Sequence, residues 1–275
     1  MSTMDKLNFT WLTNHACNYR CPYCFLDGRW DEFKKTDKHF PKNKILAAWA
    51  RVRQKYGEAH ICISGGEPTI YPDFINILKE VSELHTVGIC TNLSLDVNTI
   101  IDNLNPRRVD LSVSFHPHFV KIGEMLDKLN VLKEFHWPVQ LMCVGWPPLI
   151  PQLGDYYVHF KGFNFSVLPF WGTYNGKMYP HDYTAEEKEA INIYIAHREN
   201  ESFKTEPVRV KDRMCRAGQV YAHIEPDGRV LKCSAGAEPL QKNFFDSHFS
   251  LLAEPSPCFA EYCHCLEYVV CEKVQ

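Results

Sequence analysis

Residues 7–14 alternate apolar and polar side chains, the period of a strand with one buried face, and a loop follows directly. Ile45, Trp49, Val52 and Tyr56 then recur at helical spacing and predict a helix of about four turns. Residues 59–64 read as a short apolar strand ended by Gly65-Gly66. Residues 72–84 read as a helix with Pro72 near its first position and Phe74, Ile77, Leu78 and Val81 as its buried stripe. The same logic gives strands at 87–91, 109–115, 139–144 and 163–168, and helices at 95–104 and 121–135.

Strand and helix alternate at short intervals, the pattern of βα units and hence of a parallel sheet covered by helices. A closed eight-unit barrel takes about 250 residues, whereas this series is finished by residue 170. The texture then changes. Residues 170–183 are aromatic and turn-rich, and Thr184 to Glu187 is a capping box opening a helix to about residue 197. Residues 220–224 and 229–232 flank Pro226-Asp227-Gly228 as a β-hairpin, and the remainder is irregular and rich in cysteine. The expected architecture is α/β: a partial (β/α)6 barrel over residues 1–200, then a small cysteine-rich domain over 201–275 containing that hairpin.

Composition narrows the function classes. The chain has 275 residues, 45% hydrophobic and 23% charged, which is ordinary for a globular protein with a sizeable core. A formal net charge of −3 offers no electrostatic case for nucleic acid or an anionic membrane. No apolar run approaches the roughly 20 residues that span a bilayer, and residues 1–9 lack the apolar stretch of a secretory signal. A cytoplasmic protein is expected. In a reducing compartment clustered cysteines are metal ligands more often than disulfides. Nine of the twelve cysteines lie near the two ends of the chain.

Cys17-Asn-Tyr-Arg-Cys21-Pro-Tyr-Cys24 follows the first strand. Three closely spaced thiolates suit an iron–sulfur cluster with one iron left open to a small molecule. The alternatives are a zinc knuckle completed by His15, or plain loop cysteines. Ser64-Gly65-Gly66-Glu67-Pro68 ends the second strand, where two glycines let backbone approach a ligand and Glu67 sets a carboxylate suited to an ammonium group; an ordinary strand-to-helix turn is the alternative. Thr91-Asn92 ends the third strand, and Ser112, Ser114 and His116 line the fourth. All sit at carboxyl ends of successive parallel strands, where α/β folds bind ligands.

The three-cysteine loop with Tyr23 before its last cysteine, followed by Gly65-Gly66-Glu67-Pro68, closely resembles the radical S-adenosylmethionine superfamily over about residues 7–170. The resemblance implies a [4Fe–4S] cluster on Cys17, Cys21 and Cys24, with S-adenosylmethionine chelated to its free iron. Gly65, Gly66, Glu67 and Pro68 would contact the methionine amino group, Tyr23 would belong to the cofactor site, and Asn92, Ser112 and Ser114 are candidates for ribose or carboxylate contacts. The expected product is a 5′-deoxyadenosyl radical that takes a hydrogen atom from substrate, the electron coming from a donor such as flavodoxin or ferredoxin.

Cys215-Arg-Ala-Gly218, the hairpin, and Cys233, Cys258, Cys263, Cys265 and Cys271 form the second group. From the residues alone a structural zinc site is nearly as good as iron–sulfur. The group resembles the SPASM extension or its shorter twitch form, which implies a second [4Fe–4S] cluster. Cys215 and Cys233 are its expected ligands, completed from Cys258, Cys263 and Cys265, with the last two favoured. The end departs from the usual pattern: Cys258-x4-Cys263-x-Cys265 stands where a pair separated by two residues is common.

The substrate expected is a small polar metabolite, or a short peptide, undergoing dehydrogenation or another redox-neutral oxidation. His116 is the candidate proton acceptor. Epimerisation is the second reaction considered, with Cys62, Cys90, Cys143 and Cys271 as spare thiols, and peptide modification the third. A non-catalytic iron–sulfur or zinc protein is the competing class, and it leaves Gly65 to Pro68 unexplained. Trp146, Trp171, Tyr174 and Tyr179 are candidates for a pocket wall or for lid packing.

Overall fold

The computed structural model describes residues 7–26, 28–195, 208–235, 239–246 and 248–263. Strand β1 (Leu7–Leu12) leads through a short turn of helix, α1 (Trp30–Phe33), to α2 (Lys42–Tyr56) and β2 (Ala59–Ser64). There follow α3 (Phe74–Leu84), β3 (Thr86–Thr91), α4 (Val97–Asn103), β4 (Val109–Ser114), α5 (Ile122–Glu134), β5 (Val139–Gly145), α6 (Leu153–Phe160) and β6 (Asn164–Pro169). The six strands lie side by side in chain order and every neighbouring pair is parallel. The six strands and helices α2 to α5 match their sequence expectations to within a few residues at their ends, the usual slack in helix and strand boundaries; α1 and α6 were not expected from the sequence.

Period two decides what each strand buries. Phe9 and Trp11, Ile61 and Ile63, Val87 and Ile89, and Val109, Leu111 and Val113 turn to the helices. They share one core with Trp49 of α2, Leu78 and Val81 of α3, Leu129 of α5 and Phe160 of α6. Alternate positions form the opposite, inner face and include Thr10, His60, Cys62, Asp110, Ser112 and Ser114, all half-buried. Among the described residues no helix is long and apolar enough to cross a membrane.

Beyond β6 come a hairpin of β7 (Gly172–Tyr174) and β8 (Lys177–Tyr179), then α7 (Ala185–Asn192). The capping box forms: the Glu187 N–H donates to Thr184 Oγ1 at 3.2 Å and the Thr184 N–H to Glu187 Oε2 at 2.8 Å. The helix stops at Asn192, short of the expected 197, because the chain there turns onto the sheet edge. The Val167 N–H of β6 donates to the Tyr194 carbonyl at 2.9 Å.

The C-terminal part holds β9 (Val208–Arg209), β10 (Met214–Cys215), β11 (Tyr221–Ile224), β12 (Val230–Leu231), β13 (Pro239–Gln241), β14 (Ser256–Pro257) and β15 (Tyr262–Cys263). Strands β11 and β12 form the expected hairpin around Pro226-Asp227-Gly228, with Gly228 at φ 90. The hairpin does not stand apart in a small domain, however. Strand β11 lies parallel to β1, with Ala222 opposite Phe9, and β12 and β13 extend the same sheet to nine strands. Pairing in this way removes an open edge at β1. The segment after β13 covers the outer side: Phe244 packs on Trp49 at 4.7 Å between ring centroids, and Phe249 on Phe9 at 6.0 Å. The boundary expected near residue 200 lies outside the described residues.

Candidate active site

The segment leaving β1 runs against the turn that leaves β2. The Thr13 N–H donates to the Ser64 carbonyl at 3.0 Å, the Gly66 N–H to the Asn14 carbonyl at 2.8 Å, and the Glu67 N–H to the Ala16 carbonyl at 2.9 Å. This ladder ends one residue before Cys17. It also explains the glycines. A Cβ on Gly65 would stand 2.4 Å from the Asn14 carbonyl oxygen, and one on Gly66 2.3 Å from that of Ala16. Gly65 sits at φ +151 besides, a backbone region that disfavours side chains. The surface these glycines were expected to offer a ligand is taken, on this side, by the cysteine loop itself.

Glu67 is 1% exposed and holds four hydrogen bonds. Its Oε1 accepts from the Thr69 N–H (3.1 Å), Thr69 Oγ1 (2.5 Å) and Thr91 Oγ1 (2.8 Å), and its Oε2 from the Asn92 N–H at 2.8 Å. Three donors crowd Oε1, and Oε2, with one donor, keeps a second acceptor position. The side chain therefore binds the end of β2 to the end of β3. Pro68 is buried at the start of the following helical turn. Asn92 continues the network to the loop, its Nδ2 donating to Asn18 Oδ1 at 2.9 Å.

Within the loop burial raises the Cys17 thiol, and the Tyr19 N–H, which donates to Cys17 Sγ at 3.3 Å, offsets this only in part. The Cys24 N–H closes a turn on the Cys21 carbonyl at 3.1 Å. Burial, reinforced by Cys24 and Cys17, pushes the Cys21 thiol up to about 12. Among the described residues no three His, Cys, Asp or Glu side chains converge as a metal-ligand group, so the thiols share a loop without being drawn to one point. His15, fourth ligand of the zinc alternative, is turned away. Its Nδ1 lies 2.6 Å from Asp37 Oδ1, and the Asp37 carboxylate also accepts the backbone N–H groups of His15 and Ala16.

His116 sits on this loop. Its Nδ1 is 3.1 Å from the Tyr23 hydroxyl and 3.5 Å from Cys21 Sγ, and its ring stacks on Tyr23 at 5.7 Å. Burial, with His118 nearby, lowers it to about 4. It is thus a neutral imidazole at pH 7 placed to orient Tyr23 and Cys21, and a weak proton acceptor. Tyr23 is 5% exposed and also meets Trp146 at 5.5 Å. The Trp146 Nε1 is buried with no hydrogen-bond partner, an available donor beside the loop. Tyr174 packs on Trp146 at 5.1 Å, whereas Tyr179 packs on Tyr183 at 4.8 Å as lid core.

Ser112 and Ser114 stand on the inner face of β4, opposite Gln140 and Met142 of β5. Cys62 and Cys90 meet on the same face, their Sγ atoms 3.9 Å apart. Cys143 is turned to the helical core and almost fully buried. His60 and Asp110 were not singled out in the sequence, although the period-two pattern of β2 and β4 places them on the face of Cys62 and Ser112.

The second cysteine group shares one packed cluster, and among the described residues it too does not converge as a metal-ligand group. Cys215 and Cys258 are buried in a small cluster with Val210, Ala217 and Tyr221, and Cys233 and Cys263 pack against it. Strand β10 pairs with β14 and β15 with β9, bringing these positions together across sequence. Gly218 is at φ +88, and a Cβ there would stand 2.8 Å from Leu252, which accounts for glycine three residues after Cys215. Cys265 and Cys271 lie outside the described residues.

Residues 11–116 match the family model described as "Radical SAM superfamily". Among curated proteins the chain is 33% identical over 114 residues to GTP 3',8-cyclase of Haemophilus ducreyi, which covers 35% of this chain and 33% of that protein. It is 32% identical over 146 residues to molybdenum cofactor biosynthesis protein 1 of Bos taurus, covering 46% of this chain and 22% of that one. The chain thus spans a third or less of these relatives' length. Among solved structures it resembles native anSMEcpe with bound AdoMet, at TM-score 0.64 and 16% identity, covering 87% of this chain and 78% of that one. It also resembles Streptococcus suis SuiB bound to S-adenosylmethionine, at TM-score 0.60 and 19% identity, covering 87% and 63%. Those two likenesses carry the fold alone. Residues 11–116, which hold the cysteine loop seated on the glycine turn, are thus similar to the radical SAM superfamily.

Proposed function

We propose that the chain uses S-adenosylmethionine to remove a hydrogen atom from a small polar metabolite, ending in dehydrogenation or another redox-neutral oxidation. The backbone ladder from Thr13–Ala16 to Ser64–Glu67 carries this reading, because it fixes the three-cysteine loop against the turn expected to meet the cofactor's methionine end. The donor set fits a [4Fe–4S] cluster: three thiols on one loop, an N–H on Cys17 Sγ, and an orphaned Trp146 indole N–H beside Tyr23. Such a cluster with bound S-adenosylmethionine supplies, on reduction, a 5′-deoxyadenosyl radical that abstracts hydrogen.

This chain's residues do the positioning. Glu67 holds the ends of β2 and β3 in register, Asn92 ties them to Asn18 of the loop, and His116 orients Tyr23 against Cys21. Cys215 and Cys233, completed from Cys258, Cys263 and Cys265, would hold a second cluster able to receive the electron that a substrate radical loses as it is oxidised, and the common packing of Cys215, Cys233, Cys258 and Cys263 supports that. A flavodoxin- or ferredoxin-type donor would supply the first electron. The GTP in the relatives' names is a candidate substrate only through the shared segment.

One observation favours epimerisation as a second reading. The paired thiols of Cys62 and Cys90 face inward, where one could return a hydrogen atom to a substrate radical. Addition of S-adenosylmethionine to the reduced, iron-loaded protein should change its electron paramagnetic resonance signal. An unchanged signal at saturating S-adenosylmethionine contradicts direct chelation.

A further inference from the structure

Helix α2 carries charge of one sign only. Its residues include Lys42, Lys44, Arg51, Arg53 and Lys55 and no carboxylate, in a chain whose formal net charge is −3. Two of these cations are met from neighbouring elements: Lys42 pairs with Glu80 of α3, and Arg53 with Glu58 at 3.5 Å. Among the described residues no carboxylate pairs with Arg51 or Lys55. These two stand four residues apart on one face of the helix, where like charges repel.

Arg51 and Lys55 line a cleft of about 530 Å³ between α2 and the segment after β13. His248 lines it from that segment, and no acidic residue does. Neutral oxygens hold the two cations in place. Arg51 Nη2 donates to the Phe245 and Asp246 carbonyls at 3.2 and 3.0 Å, and Lys55 Nζ to Ser250 Oγ at 2.8 Å. Such acceptors orient a cation without cancelling its charge. Arg51 Nε is buried with no hydrogen-bond partner, a donor left over where buried donors are normally used. Val52, Tyr56 and Phe249 make the rest of the wall largely apolar, and Lys55 Nζ stands 5.0 Å from the Tyr56 ring centroid.

The cleft is well away from the cysteine loop. Helix α2 leads from the carboxyl end of β1 to the amino end of β2, so its last turn lies at the end of the sheet opposite to Cys17.

We propose that this cleft is a second binding site, one that takes a phosphate monoester carried on a flat apolar body. The phosphoryl group of a monoester bears about −1.5 to −2 charges at pH 7 and three strong acceptor oxygens, enough to meet Arg51, Lys55 and His248 together. Arginine and lysine are the usual partners of such a group. The volume falls within the range of small-molecule sites, roughly 300–1,000 Å³, and exceeds what a bare phosphate fills. Val52, Tyr56 and Phe249 would then face the ring. The site stands independently of the radical chemistry proposed above.

The test is calorimetric binding of phenyl phosphate, inorganic phosphate and phenol to iron-loaded protein at fixed ionic strength, since salt screens exposed charges. Phenyl phosphate should bind in the millimolar range or tighter, about tenfold more tightly than inorganic phosphate, the contribution of one partly buried ring. Phenol should show no binding. Lys55→Gln and His248→Gln should each weaken phenyl phosphate several-fold, whereas Lys55→Arg should preserve it. Melting of each variant without ligand reports whether the fold is kept, and His248→Gln carries the test if Lys55→Gln does not fold. Absence of phenyl phosphate binding, equal binding of inorganic phosphate or of phenol, or an affinity unchanged in the folded glutamine variants overturns the proposal.

Discussion

Gly66 has no room for a side chain because Ala16 is there: a Cβ at Gly66 would lie 2.3 Å from the Ala16 carbonyl oxygen. Residues fifty apart in sequence are thus in backbone contact, and Ala16 immediately precedes Cys17. The glycine turn shapes the cysteine loop.

Replacing Gly66 by Ala must displace that loop, since backbone atoms cannot yield as a flexible side chain can. Overpacking of this kind costs about 1–3 kcal/mol. The variant should melt earlier and retain less iron after reconstitution. Iron content equal to the parent protein would show that the loop does not depend on this contact.

Glu67→Gln separates a structural role from a cofactor-binding one. An amide nitrogen in place of one oxygen cannot accept, so a buried donor from Thr69, Thr91 or Asn92 loses its partner. The expected loss is about 1–3 kcal/mol, read by denaturant melting without any S-adenosylmethionine. Unchanged stability together with weakened cofactor binding would return Glu67 to the ammonium-binding role.

His85 gives the fold a pH dependence. It is fully buried, its Nδ1 accepting the Ala59 N–H at 3.1 Å and its Nε2 donating to the Trp49 carbonyl at 3.0 Å. Burial holds its protonation below the ordinary histidine value. The unfolded chain therefore takes up the proton first on acidification, and stability present above about pH 6.5 declines as the pH falls below it. His85→Gln should flatten that part of the stability–pH curve; an unaltered slope would assign it to other groups.

Double replacement of Cys215 and Cys233 by Ala should lower bound iron by about one cubane's worth, four irons, with the first cluster's share intact. Zinc in place of the lost iron in the parent protein would instead identify the structural alternative.

The strand–helix series was legible because each strand buries one face and each helix one stripe, patterns that local sequence carries. Joining of the hairpin to β1 was not, since Phe9 and Ala222 are more than two hundred residues apart and nothing in Tyr221–Ile224 names its neighbour. Cysteine spacing pointed to Cys17, Cys21 and Cys24 directly. The partners of Glu67 and the pairing of His15 with Asp37 are tertiary facts, and motif reading assigned both residues to ligands. His60 and Asp110 illustrate the converse: period two placed them on the inner face, yet their approach to one point over Gly88 appears only when three strands are set in register.

The most direct test of the account is 5′-deoxyadenosine formation by anaerobically reconstituted protein given S-adenosylmethionine and a strong reductant, compared with Cys21→Ala. The account predicts deoxyadenosine from the parent protein and none from the variant. Equal formation by both, or none from the parent with its iron bound, would contradict it.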